Sequence, residues 1–158
     1  MKLYLAGPDV FLPDAATWAG RSRACCERVG HEALLPLAEE AASAAAIYRS
    51  NLELIARADA VLANLNPFRG AEPDSGTCVE VGYALALGKP VVGYAADLRP
   101  VRERLGATRG ADGIWRDAQG MAVEDFGLPL NLMLAVPLRL VEGGFEAALA
   151  SLAGRGAE

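Results

Sequence analysis

The sequence has few of the side chains that most often bind metals. It contains one histidine, His31, and three cysteines, Cys25, Cys26 and Cys78, among 158 residues. One histidine excludes zinc sites built from several imidazoles, and it leaves any Ser-His-Asp triad dependent on that residue. The cysteines are odd in number and form no C-x-x-C pair. We therefore expect no metal site and no disulfide framework, and we expect a reducing, cytoplasmic compartment.

Long apolar runs and basic runs are also missing. No stretch of about 18 or more apolar residues occurs, and the apolar run at the start of the chain is too short for a signal peptide. Fifteen Lys and Arg against twenty Asp and Glu give a net charge of −5. We expect neither nucleic acid nor an anionic membrane as a partner.

Two glycine motifs that bind phosphates are absent as well. Gly7-Pro8 does not continue into G-x-G-x-x-G, and the chain contains no G-x-x-x-x-G-K-[ST]. A dinucleotide or P-loop site is therefore not expected, and the sequence predicts no cofactor.

What the sequence does contain is the pattern of a single folded domain over residues 1–158. Its length and an apolar fraction of 53% exclude intrinsic disorder. The predicted strands are Lys2–Ala6, His31–Leu35, Ala60–Leu65, Pro90–Tyr94 and Leu138–Val141. The predicted helices are 14–29, Glu39–Ala58 (one or two helices), Thr77–Leu87, Pro129–Ala135 and Phe145–Leu152, with a small hairpin over Asp112–Val123. This alternation predicts an α/β, flavodoxin-like (Rossmann-like) three-layer sandwich whose parallel sheet has about five strands.

Two loops follow predicted strands at the edge where such sheets bind ligands, Gly7–Phe11 and Asn66–Gly76. The second loop leads into Thr77-Cys78-Val79-Glu80, which permits two interpretations. Thr77 and Glu80 match a capping box, in which the glutamate returns to bond the N-cap amide. Alternatively, Glu80 lies in the first turn of the helix, where free amides and the helix dipole keep it ionised as a nucleophile.

Asp74 precedes this helix and also permits two interpretations. As a residue after proline, it is typical of a turn. Beside Glu80, however, it forms a carboxylate pair in which one member holds a proton, because two close carboxylates do not both ionise easily. An ionised nucleophile next to a protonated acid suits retaining glycosyl transfer.

Four segments in order resemble the nucleoside 2-deoxyribosyltransferase family, and a fifth, Pro129-Leu130-Asn131-Leu132-Met133, is also similar to it. The four segments are Tyr4-Leu5-Ala6-Gly7-Pro8-Asp9-Val10-Phe11, Asp59-Ala60-Val61-Leu62-Ala63-Asn64-Leu65-Asn66-Pro67-Phe68-Arg69-Gly70, Pro73-Asp74-Ser75-Gly76-Thr77-Cys78-Val79-Glu80-Val81-Gly82-Tyr83-Ala84 and Gly88-Lys89-Pro90-Val91-Val92-Gly93-Tyr94. The resemblance implies that Glu80 is the nucleophile that attacks C1′ of the deoxyribose. It also implies that Asp74 relays the proton of the base and that Tyr4 holds the nucleophilic carboxylate.

The same resemblance implies the substrate-binding residues. Phe11 corresponds to an aromatic beside the nucleoside, and Gly7 belongs to the same loop. Asn131 and Met133 correspond to residues that reach a neighbouring subunit's site and hold the 5′ side of the sugar. Asn51 falls where some members carry Asp, which leaves open how the base is polarised.

Each of these positions also has an ordinary structural interpretation. Tyr4, Phe11 and Met133 are typical of core packing. Asn131 is typical of a helix cap, and Asn51 in mid-helix is typical of a solvent-facing residue.

The expected function is a cytoplasmic transferase of nucleotide salvage that moves 2-deoxyribose between purine or pyrimidine bases through a covalent deoxyribosyl-Glu80 intermediate. Its expected partners are small-molecule nucleosides and free nucleobases, together with further copies of the chain in a homodimer or higher homo-oligomer. Two alternatives stay open. One is a hydrolase that cleaves the N-glycosidic bond of 2′-deoxynucleoside 5′-monophosphates. Arg69 is then a candidate to bind the phosphate as a hydrogen-bond donor. The other is a non-catalytic nucleotide-binding module.

Overall fold

The computed structural model describes residues 1–36 and 43–152, and its centre is a parallel sheet of five strands. The seven strands of the described chain are β1 (Lys2–Ala6), β2 (Glu32–Leu34), β3 (Ala60–Asn64), β4 (Val91–Ala95), β5 (Thr108–Arg109), β6 (Trp115–Arg116) and β7 (Arg139–Glu142). The five-stranded sheet has the order β2-β1-β3-β4-β7, and every neighbouring pair is parallel. This is the flavodoxin-like order, so the predicted fold class is confirmed.

The remaining pair, β5 and β6, is antiparallel, and an isolated bridge joins Arg116 to Ala122. The predicted hairpin over Asp112–Val123 therefore begins too late, because its first strand lies at Thr108–Arg109. Each strand of this ladder has only two residues, so neither has a clear apolar periodicity from which it could be predicted. The paired residues are Thr108 with Arg116 and Arg109 with Trp115.

Helices cover both faces of the sheet. They are α1 (Ala15–Arg28), α2 (Ala44–Arg57), α3 (Ser75–Ala86), α4 (Val101–Arg104), α5 (Leu132–Ala135) and α6 (Phe145–Ser151), with a 3-10 turn over Pro8–Phe11. Ser43 caps α2 by accepting a 3.2 Å hydrogen bond from the amide of Ala46, and the earlier part of the helix predicted over Glu39–Ala58 lies outside the described residues. Within the described ranges, no helix is both long and apolar enough to cross a membrane.

Alternation along β1 decides which side chains meet which helices. Leu3 and Leu5 pack in the cluster that contains residues of α1 and α6. Tyr4 and Ala6 pack in the opposite cluster, with residues of α2 and α3. Because successive strand residues point to opposite faces, Tyr4 is directed toward the two helices that carry Asn51 and Glu80.

The order of the strands also places a crevice at the carboxyl end of β1. The chain leaves β1 for α1 and β2 on one side and returns to β3 on the other, with Ala6 of β1 paired to Ala63 of β3. Connections leaving in opposite directions open the sheet at this point, where ligands bind in folds of this kind. The loops after β1 and β3 are therefore neighbours.

Candidate active site

Glu80 is held by hydrogen bonds from two other elements. Its Oε1 accepts a 2.7 Å hydrogen bond from the hydroxyl of Tyr4 on β1. The same oxygen accepts a 3.3 Å hydrogen bond from Nδ2 of Asn51 on α2. Among the described residues, no donor bonds the second oxygen, Oε2, and Glu80 lines a cleft. The arrangement fixes one oxygen and leaves the other available to a ligand.

The protonation of this carboxyl is set chiefly by its burial. Burial raises the pKa of Glu80 to about 7, and the negative charge of Asp74 contributes to this rise. The hydrogen bonds from Tyr4 and Asn51 lower the pKa and partly offset the rise. Burial and the neighbouring Glu80 also raise the pKa of Tyr4 well above its usual range. Tyr4 therefore keeps its proton and acts as the donor, while Glu80 titrates near neutral pH.

Asp74 caps the helix that carries Glu80. Its Oδ2 accepts hydrogen bonds from the amide of Thr77 at 2.9 Å and from the hydroxyl of Thr77 at 3.0 Å. Helix α3 consequently begins at Ser75, two residues earlier than predicted. Asp74 is thus the N-cap of α3, in place of the turn residue that was predicted. Capping uses only one of its two carboxylate oxygens, Oδ2.

This start of α3 corrects both interpretations of Glu80. Thr77 lies inside the helix, so Thr77 and Glu80 form no capping box. Glu80 lies in the second turn, beyond the free amides of the helix terminus, so the expected support from the helix dipole is wrong as well. The physical reason is that Asp74 accepts hydrogen bonds from the amide and the hydroxyl of Thr77, so the helix is capped before Thr77 is reached. The carboxylate is supported by Tyr4 and Asn51 instead.

The cleft has a volume of about 570 Å³, within the range typical of small-molecule sites. It lies between the loop after β1, the start of α1, and helices α2 and α3. Its lining residues are Gly7, Val10, Phe11, Ala15, Ala16, Trp18, Ala19, Pro36, Ile47, Asn51, Asp74, Gly76, Thr77 and Glu80. Five of the eight predicted site residues are in this lining, and Tyr4 is fully buried behind it. Among the residues that the structure describes, no group of three or more His, Cys, Asp or Glu could hold a metal ion.

Three predicted residues differ from their ordinary structural interpretations. Phe11 is 57% exposed and Met133 is 73% exposed, so neither is a core residue. The amide of Asn51 contacts Glu80 instead of facing solvent.

Asn131 and Met133 do not line the cleft of their own chain. The side chain of Asn131 caps α5, accepting a 3.0 Å hydrogen bond from the amide of Met133 and donating one of 2.8 Å to Glu124. Within a single chain, Asn131 therefore acts as a helix cap, as its ordinary structural interpretation predicted.

A polar network of Asp9, Asn64 and Asn66 has no counterpart among the predicted site residues. Both carboxylate oxygens of the buried Asp9 accept hydrogen bonds from Nδ2 of Asn64, at 3.1 and 3.0 Å. Oδ1 of Asn64 accepts from Nδ2 of Asn66 at 2.7 Å, and Oδ1 of Asn66 accepts from the amide of Ala96 at 2.9 Å. The signal that could have identified it is the polar residues near the carboxyl ends of two strands: Asp9 shortly after β1, and Asn64 and Asn66 at and after the end of β3. The network ties together the loops that follow β1, β3 and β4.

Gly7 is required by this network. A Cβ at Gly7 would lie 2.5 Å from Oδ2 of Asp9 and 2.8 Å from Cβ of Asn64. Its backbone is extended, with φ of 164°, so the constraint is space and not conformation. Gly7 thus allows the loop after β1 to close against β3 and to present Phe11 at the cleft.

Fold and site together define an α/β protein with a carboxylate pair in a cleft at the carboxyl edge of a parallel sheet. The chain belongs to the nucleoside 2-deoxyribosyltransferase family, a family of glycosyl-transferring enzymes whose model matches residues 3–133.

Known proteins and structures agree with this membership. A 2-deoxyribosyltransferase from Leishmania mexicana is 39% identical, with a TM-score of 0.84 over 99% of both chains. An uncharacterized protein of Schizosaccharomyces pombe, C191.05c, is 31% identical over 92% of this chain and 80% of its own length. A CMP N-glycosidase from Clostridium botulinum is 15% identical, with a TM-score of 0.56 over 97% of this chain and 98% of its own, and shares the fold alone.

Proposed function

We propose that this protein is a nucleoside 2-deoxyribosyltransferase that moves 2-deoxyribose between purine or pyrimidine bases through a covalent deoxyribosyl-Glu80 intermediate. The observation that carries the proposal is the asymmetric bonding of Glu80. Tyr4 and Asn51 both donate to Oε1, at 2.7 and 3.3 Å, so Oε2 is the atom available to attack a sugar carbon. A carboxylate fixed in this way is oriented before substrate arrives.

In the first half-reaction, Oε2 of Glu80 forms a bond to C1′ as the bond from C1′ to the base nitrogen breaks. The reactive form of the site has Glu80 ionised and the proton on Asp74, and Asp74 donates that proton to the departing base. Because Oδ2 of Asp74 accepts hydrogen bonds from Thr77, Oδ1 is the oxygen from which the proton leaves. The product is an ester of Glu80 with inverted configuration at C1′.

In the second half-reaction, a nitrogen of the acceptor base attacks C1′ from the face that the first base vacated. The ester bond breaks, Glu80 regains its carboxylate, and Asp74 takes the proton of the acceptor. Two inversions restore the original anomer, and the kinetics are ping-pong. Tyr4 and Asn51 stabilise the leaving carboxylate of Glu80 through the same hydrogen bonds that orient it.

The proposal includes a second copy of the chain at the site. Met133 of α5 and Val136, which follows that helix, are 73% and 71% exposed, and an apolar surface of this kind is typical of an interface. The proposal is that these residues, together with Asn131, complete the cleft of a neighbouring subunit. Mixing an inactive Glu80→Gln chain with an inactive Asn131→Ala chain tests this, because mixed assemblies contain one intact site and should regain activity.

The deciding experiment incubates the protein with deoxyinosine, and separately with its 5′-monophosphate, in the presence and absence of adenine. New deoxyadenosine that depends on adenine supports transfer. Release of hypoxanthine at the same rate without adenine supports the hydrolase, and binding without turnover supports a non-catalytic module. A 2-fluoro-2-deoxy nucleoside should trap an adduct on Glu80, detectable by peptide mass spectrometry. An active enzyme that gives no adduct would contradict the covalent mechanism.

A further inference from the structure

Three side chains from the loops after β1 and β3 form a cluster at the mouth of the cleft. The rings of Phe11 and Phe68 are stacked, with centroids 5.6 Å apart and planes 18° apart. The guanidinium carbon of Arg69 lies 5.1 Å from the Phe11 centroid and 4.7 Å from the Phe68 centroid. The guanidinium carbon is therefore about equally close to both rings. We refer to this group as the Phe11–Phe68–Arg69 cluster.

The backbone of Arg69 is held in an unfavourable conformation. In the described ranges, Arg69 is the one non-glycine residue with positive φ, at 54°. Side chains with a Cβ adopt this region at a cost, and the cost is typically retained at functional sites. The turn is closed by a 3.0 Å hydrogen bond from the amide of Phe68 to the carbonyl of Glu72. The strained turn aims the Arg69 side chain back over the aromatic pair.

Phe11 needs such support because of where it lies. Its ring is 57% exposed, and it lines the cleft. Phe68 and Arg69 contact Phe11 and are not among the residues that line the cleft. An exposed phenylalanine without these contacts would be free to change rotamer, and an aromatic ring stacks well on a nucleobase only when it is held still.

We infer that Arg69 is a substrate-positioning residue, which fixes the ring of Phe11 as an aromatic wall for the nucleobase through cation–π contacts with Phe11 and Phe68. This inference rests on the proposed function, because it takes a nucleoside as the ligand of the cleft. It assigns Arg69 a role different from that of a phosphate ligand. Within the part of the chain that the structure describes, Arg69 forms no ion pair, and its guanidinium lies on the rings and not among the lining residues.

The test compares variants that distinguish the effect of losing the Arg69 side chain from the effect of relieving its backbone strain. Arg69→Gly removes the cation and relieves the positive φ, whereas Arg69→Asn removes the cation and retains a residue that tolerates this φ. We expect both variants to raise KM for deoxyinosine about fivefold with kcat changed less than about twofold, since an exposed cation–π contact has roughly this strength. Arg69→Lys, which keeps a cation without the planar guanidinium, should give an intermediate KM. Arg99→Asn is the control, because Arg99 is an exposed arginine that pairs with Asp97 and does not line the cleft.

A second substrate distinguishes positioning of Phe11 from phosphate binding. If Arg69 positions Phe11, the variants should raise KM for deoxyinosine and KM for its 5′-monophosphate by the same factor. A loss confined to the monophosphate, or an unchanged KM in both Arg69→Gly and Arg69→Asn, would overturn the inference while leaving the transferase proposal intact. If the wild type shows no turnover, calorimetric binding of deoxyinosine to wild type and Arg69→Asn decides the question. A fivefold weaker Kd supports the positioning role, and an equal Kd contradicts it.

Discussion

The hydroxyl of Tyr4 donates to Oε1 of Glu80 across 2.7 Å, joining a fully buried strand residue to the second turn of α3. Because Tyr4 is packed on all sides in the centre of the sheet, its hydroxyl is a fixed point, and the carboxylate that it bonds is fixed with it. The core of the fold thus determines the position of the proposed nucleophile. This contact has consequences for pH dependence, which are open to direct measurement.

Activity should fall as pH drops through neutrality. Burial raises the pKa of Glu80 to about 7, and the nucleophile must be ionised, so kcat/KM for the donor should decline as the pH falls below about 7. Tyr4→Phe removes a hydrogen bond that stabilises the ionised form, so its acidic limb should move to higher pH, with kcat/KM at pH 7 lower by about tenfold. Initial transfer rates between pH 5 and 9 provide the measurement.

Tyr94→Phe is the matched control for this pH profile. Tyr94 is also a buried strand tyrosine, but it packs on the opposite face of the sheet, with α1 and α6. Its loss should leave the acidic limb where the wild type has it. The same displacement in both variants would show that a general change in packing, and not the contact with Glu80, sets the limb.

Glu80→Gln should abolish turnover. It should also remove a loss of folding stability that the wild type undergoes as the pH rises. Folded Glu80 titrates at about 7 and its ordinary value is 4.5, so between these pH values the folded chain binds more protons than the unfolded one. Wild-type stability therefore decreases as pH rises through this window, a loss that Glu80→Gln does not share. The variant's advantage in unfolding free energy should grow between pH 4.5 and 7 by about 2 kcal/mol, measured by urea denaturation. An advantage that stays constant with pH would contradict the raised pKa.

Asp74→Asn and Asp74→Ala should separate capping from proton transfer. Asn is as good an N-cap as Asp, so Asp74→Asn should retain the hydrogen bond from Thr77 and the melting temperature. Asp74→Ala loses the cap, which costs about 1 kcal/mol and a few degrees in Tm. Because neither variant can donate a carboxylic proton, transfer should fall by at least about a hundredfold in both. An active Asp74→Asn enzyme would restrict Asp74 to its structural role.

Asn51→Asp and Asn51→Ala should test the second hydrogen bond to Glu80. The alanine variant loses one donor to Oε1, whereas the aspartate variant replaces the donor with a second negative charge. The acidic limb of kcat/KM should therefore move up slightly in Asn51→Ala and further in Asn51→Asp. Equal profiles for wild type and Asn51→Asp would show that the 3.3 Å contact does not tune the nucleophile.

The fold could be predicted because its signals are local. Short apolar runs such as Lys2–Ala6 and Ala60–Asn64 end at glycine, proline or asparagine, and the segments between them carry helical spacing. The start of α3 could not be predicted from the same signals, because Asp74 and Thr77 are both acceptable caps. Only the packed loop determines which of them is used, and that choice moves Glu80 from the first turn to the second.

Parts of the site depend on contacts between distant segments, which no local pattern contains. The resemblance to a family pointed to Tyr4 and Glu80, which are far apart in sequence and whose hydrogen bond the structure shows. The positions of Asp9 and Asn64 near strand ends are a local signal, but their contact arises only when the loop after β1 folds against β3. Arg69 is a similar case, because its positive φ and its position over two rings are properties of the folded loop.

Gly7→Ala and Gly20→Ala should change stability in opposite directions. A Cβ at Gly7 would lie 2.5 Å from Oδ2 of Asp9 and 2.8 Å from Cβ of Asn64, and the latter atom is fixed to a strand. The loop after β1 must shift to relieve this overlap, at a cost of roughly 1–3 kcal/mol, and Phe11 shifts with it, so KM should rise. At Gly20, inside α1, the space is open, and alanine should stabilise the helix by about 1 kcal/mol without a change in KM. Thermal unfolding and donor KM of both variants provide the comparison. A stable Gly7→Ala variant with wild-type KM would mean that the contact between Asp9 and Asn64 does not position the loop.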